Sequence, residues 1–278
     1  GQLAYFAVMM KARKYNRRIF TKAITPNVMT IQDSAFMSDD LIEYVAHHNY
    51  ELRADITLLR KDFKDAKEFG SIITVSKLNY PALYARLADI KESFAEDIFS
   101  LQYQKDAIEK LLPLVKQAEL MAQKYHAVVT NPPYMGGSGM SAKLADFVKK
   151  NYPDSKSDLF ATFIERCGGM TVKNGYQVMI TQHAWMFLSS FEKLRAKLQT
   201  VDTVNMAHLG ARAFEEIGGE VVQTTSFVMR RNHTKAYKGT FCRLIDPTTQ
   251  QGKEDMFLNG ENRFTAQQDN FSKIPGSP

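Results

Sequence analysis

Cysteines and long apolar runs are scarce in this sequence, and each scarcity excludes a class of protein. Two cysteines among 278 residues cannot form a disulfide framework or a cysteine-rich zinc cluster, so both are expected to be buried free thiols. No apolar run approaches the roughly 20 residues that a membrane-spanning helix requires. The first ten residues also lack the basic, apolar and small-residue order of a signal peptide. We therefore expect a cytoplasmic protein that makes no use of a membrane.

The residues that are present describe an ordinary globular chain with a basic surplus. Apolar residues make up 44% of the sequence, which is enough to bury a substantial core. The formal net charge is +6, and five basic residues crowd one short stretch, namely Lys11, Arg13, Lys14, Arg17 and Arg18. That stretch is compatible with a polyanionic partner such as nucleic acid, and equally with the solvated face of a helix.

The first half of the chain is predicted to contain two segments of different character. Residues 1–38 are expected to be an α/β segment, with a β-like run at residues 28–31 that ends at Asp33. Residues 39–124 are rich in Glu, Lys, Leu and Ala with helical spacing, and one β-like run at residues 71–75 interrupts them. We interpret this second segment as a helical insertion.

The second half of the chain returns to alternating strands and helices. In residues 125–245, β-like runs alternate with amphipathic helical stretches, which is typical of a doubly wound α/β sheet. In such sheets, ligands bind at the carboxyl ends of the strands. Residues 246–278 are polar and rich in Gln and Asn, so they are expected to be a linker towards a target-recognition domain. The predicted fold is thus a partial doubly wound, Rossmann-like α/β sheet with a helical insertion.

The most informative motif is Asn131-Pro132-Pro133-Tyr134, which directly follows a short apolar strand. The strand delivers Asn131 to the rim of the sheet, and the two prolines fix φ and remove two backbone donors. Asn131 Oδ1 and the Pro132 carbonyl can then accept both hydrogens of an –NH₂ group, while Tyr134 offers a face for stacking. This arrangement positions an amine nitrogen for group transfer and needs little acid–base chemistry.

The motif alone leaves the substrate open. A planar –NH₂ group is present in adenine, in RNA guanine and in the side chain of a protein glutamine. A non-catalytic nucleic-acid-binding module that kept the fold is a further alternative. His47, His48 and His183 show no metal-ligand spacing, so no metal site is predicted.

Several segments resemble a known family of methyltransferases. Asn131-Pro132-Pro133-Tyr134 after an apolar strand resembles the catalytic motif of amino-group methyltransferases, including those that methylate adenine N6 in DNA. Residues 157–166, 174–181, 185–195 and 214–227 resemble the helix, strands and loop that follow this motif in large restriction–modification enzymes. Together they are similar to the adenine-specific methyltransferases of BREX-type phage-defence systems, the PglX type.

The resemblance implies a cofactor, a partner and roles for particular residues. The implied methyl donor is S-adenosyl-L-methionine, and the implied substrate is a flipped adenine of double-stranded DNA. Asn131, Pro132, Pro133 and Tyr134 would bind the amine. Cofactor contacts would come from three further residues: Asp33, Asp158 and Phe160. Asp33 could equally be a helix-capping or turn aspartate, and Asp158 could equally cap its helix. Phe214 would be a second aromatic residue against the base, and other subunits of a defence system would be partners.

This sequence departs from the family pattern at the cofactor site. Members carry a glycine-rich loop after the first strand and an acidic residue after the second, and neither is present here. The only glycine cluster, residues 136–139, follows the catalytic motif. We therefore expect that the chain enters the fold just after its second strand, lacks half of the cofactor site and is inactive by itself.

Overall fold

The computed structural model describes residues 1–22, 24–95, 97–214 and 222–275. Contacts group the chain into two compact units, Gly1–Ala122 and Gln123–Pro278. In the described ranges, no helix is both long enough and apolar enough to cross a bilayer.

The first unit is helical, because capped amphipathic segments follow one another along the chain. Its helices are Gln2–Tyr15 (α1), Asp39–Ala46 (α2), Tyr50–Asp62 (α3), Ala66–Phe69 (α4), Tyr80–Glu92 (α5), Ile98–Asp106 (α6) and Leu112–Ala122 (α7). Ser38, Asn49 and Asn79 each accept a hydrogen bond from the backbone N–H three residues later. Such caps satisfy donors that the first helical turn leaves free. Leu41, Ile56, Leu59 and Leu83 from the resulting apolar faces are at most 1% exposed.

A turn of π-helix, Ala107–Leu111, joins α6 to α7. Pro113 follows it and has no N–H to donate to the carbonyl four residues earlier. A locally widened turn is one way in which a helix accommodates such a missing bond. The helical stretch that contains Pro113 is thus interrupted one turn before the proline.

Two predicted strands in this unit are absent. Residues 28–31 are irregular, and residues 71–75 consist of a 3₁₀ turn, Gly70–Ile72, followed by extended chain without a ladder. Ile72, Ile73 and Val75 are nevertheless buried, because β-branched side chains also fill a helical core. Asp33 therefore does not lie at a strand end, which corrects the sequence-based placement.

The second unit contains one six-stranded sheet in its described part, with the strand order β1-β2-β4-β3-β5-β6. The strands are Tyr125–Thr130 (β1), Thr171–Gln182 (β2), Asp202–Gly210 (β3), Thr224–Arg230 (β4), Lys238–Arg243 (β5) and Arg263–Gln267 (β6). β1 is parallel to β2 and β3 to β5, whereas β4 is antiparallel to both β2 and β3. Four strands, β1, β2, β3 and β5, thus run in one direction, and their carboxyl ends share one edge.

Helices connect these strands and cover the apolar residues of the sheet. They are Ala142–Asn151 (α8), Leu159–Met170 (α9), Glu192–Leu198 (α10) and Gln250–Asn259 (α11). Phe160 and Ile164 of α9 pack with Met179, Trp185 and Phe227 in one buried cluster. The predicted α/β class is confirmed by this alternation.

The expectation of a linker over residues 246–278 is wrong for most of the segment. Residues 250–267 form α11 and β6, and β6 pairs with β5 in antiparallel register from Lys238–Gln267 to Cys242–Arg263. Thr249 caps α11, and Gly260 ends it with a positive φ of 75°. Polar composition suggested a linker because α11 and β6 bury few of their side chains.

Candidate active site

The carboxyl end of β1 places Asn131 at the edge of the sheet. Parallel pairing aligns Thr130 of β1 with Met179 of β2, so Asn131 is the first residue beyond the ladder. Its side chain is exposed, whereas the next residue, Pro132, is buried. The strand thus ends where the sequence predicted, with a polar side chain at the position where such sheets bind ligands.

Tyr134 is held against the strand ends by both its hydroxyl group and its ring. The hydroxyl lies 3.2 Å from Asn131 Oδ1 and 3.4 Å from the Ile180 carbonyl oxygen, and its single proton can be donated to either. The ring meets Phe160 edge-to-face with centroids 6.1 Å apart. Burial raises the pKa of Tyr134 to about 12, so the hydroxyl stays protonated and able to donate at neutral pH.

Asp158 connects the loop that follows the motif to the first turn of α9. Its Oδ1 accepts hydrogen bonds from the backbone N–H groups of Met135, at 3.0 Å, and Phe160, at 3.1 Å. The Leu159 N–H donates to the Met135 carbonyl at 3.0 Å. Burial raises the pKa of the Asp158 carboxyl, against the opposing effect of these backbone donors.

Phe160 lies inside the core behind Tyr134. Its side chain is 1% exposed and also contacts the Phe191 ring at a centroid distance of 5.7 Å. The resemblance implied a contact between Phe160 and the cofactor. In the structure the residue supports the Tyr134 ring from the protein side.

Among the described residues, no contact joins Phe214 to this loop, and Asp33 belongs to the other unit. Asp33 belongs to the first unit, where its Oδ1 accepts a hydrogen bond from the Ala35 N–H at 2.9 Å and closes a turn. Phe214 is partly buried in the segment after β3. The rest of the loop that resembled the family, residues 215–221, lies outside the described residues, and the role of Phe214 stays a prediction.

A histidine pair at the same edge was not predicted from the sequence. His183, just after β2, has its Nδ1 2.8 Å from Nε2 of His208 near the end of β3. Burial lowers the pKa of both residues, for His208 to about 4, so both are neutral at pH 7. The His183 N–H also donates to the Gln223 carbonyl at 3.0 Å. Only the pairing of β3 beside β4 and β2 brings these distant residues together.

The loop after β1, residues 131–141, carries uncharged polar groups. Among the described residues, no group of three or more His, Cys, Asp and Glu side chains could hold a metal. Residues 131–141 contain neither acidic nor basic side chains. Asn131 is exposed, and the Tyr134 hydroxyl can donate a hydrogen bond to its Oδ1 and orient the side chain. A second lone pair of Oδ1 can then accept a hydrogen bond from a ligand.

Sequence comparisons agree with the resemblance predicted from the motifs. Residues 2–212 match the model of the Eco57I restriction-modification methylase family. The chain is 39% identical over 301 residues to the adenine-specific methyltransferase BrxX of Escherichia coli O9:H4 (strain HS), aligning all of this chain with 25% of that protein. It is 40% identical over 284 residues to the adenine-specific methyltransferase PglX of Lacticaseibacillus casei (strain Zhang), aligning all of this chain with 24% of it.

The chain therefore spans about a quarter of the length of the curated relatives it matches. Among solved structures, one of a type I restriction–modification system aligns with 86% of this chain and 57% of its own. The identity is 12% and the TM-score 0.42. That likeness is too weak to bear on function.

Proposed function

This chain belongs to the Eco57I restriction-modification methylase family, and on that premise we propose that it binds the target amine for methylation of adenine N6 in DNA. The observation that carries the proposal is the geometry after β1. Asn131 stands exposed at the strand end, and the Tyr134 hydroxyl lies 3.2 Å from its Oδ1. The names of the two relatives, both adenine-specific methyltransferases, favour adenine over an RNA guanine or a glutamine amide.

In the proposed reaction, Asn131 Oδ1 and the Pro132 carbonyl accept the two amine hydrogens. Neither Pro132 nor Pro133 has an N–H that would compete for these acceptors. Accepting both hydrogens draws the nitrogen lone pair out of conjugation with the ring and towards the methyl donor. The nitrogen would gain a bond to the methyl carbon as the bond between that carbon and the donor sulfur breaks, and it would release one proton to water.

A base stacked in duplex DNA cannot reach this edge, so the proposal includes base flipping. Tyr134 would stack on the flipped adenine, because its ring is held from behind by Phe160 and its hydroxyl by Asn131 or Ile180. Phe214 is proposed as the second aromatic residue against the base.

S-adenosyl-L-methionine is the proposed cofactor and would supply the methyl group as a sulfonium. The residues present fit such a cation in one respect. The loop of residues 131–141 has no Lys or Arg to repel the sulfonium, and Asp158 adjoins it through Met135. The cofactor contacts of Asp33, Asp158 and Phe160 that the family resemblance implies stay predictions. For Asp158 the alternative is a positioning role, and the Kd of its variants for the cofactor decides between the two. A cytoplasmic setting in phage defence, with other subunits as partners, is part of the same proposal.

The test replaces Asn131 by Ala in the full-length protein and follows methyl transfer from labelled cofactor to unmethylated DNA. Loss of one preorganised polar contact to a reacting group typically costs about 100-fold or more in rate, and we expect N131A to lose at least that. N151A removes an exposed asparagine at the end of α8 and should keep the wild-type rate.

Two results would contradict the proposal. Equal rates for N131A and the wild type would show that Asn131 takes no part in methyl transfer. No methylation by the wild-type protein, with DNA binding intact, would instead support a non-catalytic binding module.

A further inference from the structure

Asp158 connects the two ends of the 24-residue segment between the motif and α9, residues 135–158. One carboxylate oxygen, Oδ1, accepts from the N–H of Met135 and from that of Phe160. Because the Met135 carbonyl also accepts from the Leu159 N–H, both backbone polar groups of Met135 are bonded to residues 158–159. Gly136 and Asp158 form an isolated antiparallel bridge at the same point.

These bonds fix the backbone immediately after the catalytic motif. Met135 is the residue after Tyr134, so its N–H and carbonyl define the direction in which the chain leaves the Tyr134 ring. The same first turn of α9 provides Phe160, which holds that ring edge-to-face. The start of α9 thus fixes the position of the Tyr134 ring and of the backbone that follows it.

We propose that Asp158 is a positioning residue for the transfer reaction, which sets the placement of Tyr134 and Asn131 through the Met135 N–H. The inference rests on the proposed function, and it assigns Asp158 a role that does not require contact with the cofactor. Its Oδ1 is already used by two backbone donors. Its Oδ2 lies against Gly136, 3.6 Å from where a Cβ atom would stand.

Two substitutions test the bond from the Met135 N–H separately from the bond that caps α9. Asn keeps the length of the side chain and an oxygen that can accept from both N–H groups, while it removes the charge. Ser keeps a helix N-cap, because its hydroxyl can accept from the first turn of α9, but it is too short to reach the Met135 N–H as well. D158S therefore releases the loop with α9 still capped, and D158N releases neither.

The experiment measures steady-state methylation and cofactor binding by the full-length protein carrying D158N or D158S. Misplacement of a reacting group by about 1 Å costs on the order of 100-fold. We expect D158S to lower kcat about 10-fold to 100-fold, with the KM for DNA and the Kd for S-adenosylmethionine within about threefold of wild type. D158N should keep kcat within about threefold.

Hydrogen exchange of the Met135 amide supplies a readout that is independent of activity. D158S should speed this exchange at least about tenfold, whereas D158N should leave it protected. Wild-type kcat or unchanged exchange in D158S would overturn the positioning role. If the Kd for the cofactor rises equally in D158N and D158S, the role of Asp158 would instead be a charge contact with the cofactor. If the wild type itself fails to methylate DNA, the proposed function is wrong, and the positioning role is wrong with it. The exchange data would still show whether Asp158 fixes the loop.

Discussion

The Tyr134 side chain has two separable parts, a ring that is half-buried and a hydroxyl with one proton for two acceptors. Phe keeps the ring and its contact with Phe160 but leaves Asn131 Oδ1 without its donor. A single hydrogen bond of this kind contributes about 0.5–1.5 kcal/mol. Removing it should therefore lower kcat by less than about tenfold.

We accordingly expect Y134F to retain most of the activity of the full-length protein and its KM for DNA. Y134A also removes the stacking face, and its kcat/KM should fall about 5-fold to 150-fold below that of Y134F, because base–aromatic stacking contributes about 1–3 kcal/mol. Steady-state methylation of both variants provides the measurement. Equal losses in Y134F and Y134A would show that the hydroxyl, and not the ring, carries the role of Tyr134.

At the residue scale, the sequence was sufficient to predict a position that local order determines. The place of Asn131 at a strand end could be predicted because a strand, a polar residue and two prolines are adjacent in the chain. The bond between Asp158 and Met135 could not, because it spans 23 residues and any helix-capping aspartate has the same sequence signature. The His183–His208 pair was beyond prediction for a stronger reason, since it depends on the strand order of the sheet.

At the element scale, apolar periodicity predicted the helices of the first unit and the strands of the second. Apolar periodicity gave a wrong prediction where a buried run of β-branched residues does not pair with another strand. Residues 71–75 are as β-branched as a strand, but their burial among helices satisfies the same pattern. It failed in the opposite sense for β6, whose residues Arg263, Phe264 and Thr265 are exposed on the edge of the sheet. An edge strand of this kind lacks the apolar signal of a buried one.

The His183–His208 pair links two elements, the end of β2 and the end of β3, and makes their stability depend on pH. Burial lowers the pKa of His208 from 6.5 to about 4, and the charges of Arg243, Lys253 and, once it is protonated, His183 act in the same direction. The folded state therefore favours neutral His208. Between about pH 6.5 and pH 4 the unfolded state binds more protons, so the free energy of unfolding falls as the pH falls through this window.

We expect the thermal midpoint of the 278-residue chain to drop more between pH 7 and pH 5 for the wild type than for H208Q. Gln can keep a hydrogen bond to His183 but does not titrate. H233Q removes an exposed histidine of the same unit and serves as the control, with the wild-type pH dependence. Parallel pH dependences of wild type and H208Q would contradict a role for His208.

At the scale of the whole molecule, net charge is distributed unevenly along the chain. Residues 1–32 contain six basic residues and no acidic one, whereas residues 33–122 contain 11 basic and 16 acidic residues. The first unit therefore carries a net charge of only +1, and residues 123–278, with 19 basic and 14 acidic residues, carry the other +5. The basic surplus thus lies in the unit that carries Asn131, where it is compatible with a polyanionic partner.

The glycine content of the chain before β1 bears on how much of the cofactor site these residues can form. Before β1 the sequence contains only two glycines, Gly1 and Gly70, and neither is part of the glycine-rich turn that the family resemblance requires for the methionine part of the cofactor. We therefore expect the 278-residue chain to bind S-adenosylmethionine at least about 100-fold more weakly than the full-length protein, a difference of about 2.7 kcal/mol. Calorimetric titration of both proteins provides the measurement, and circular dichroism verifies that the chain is folded. Comparable affinities would show that residues 1–278 contain a complete cofactor site, in which the described strand-end loop and Asp158 take a larger share of the binding than the glycine-rich turn.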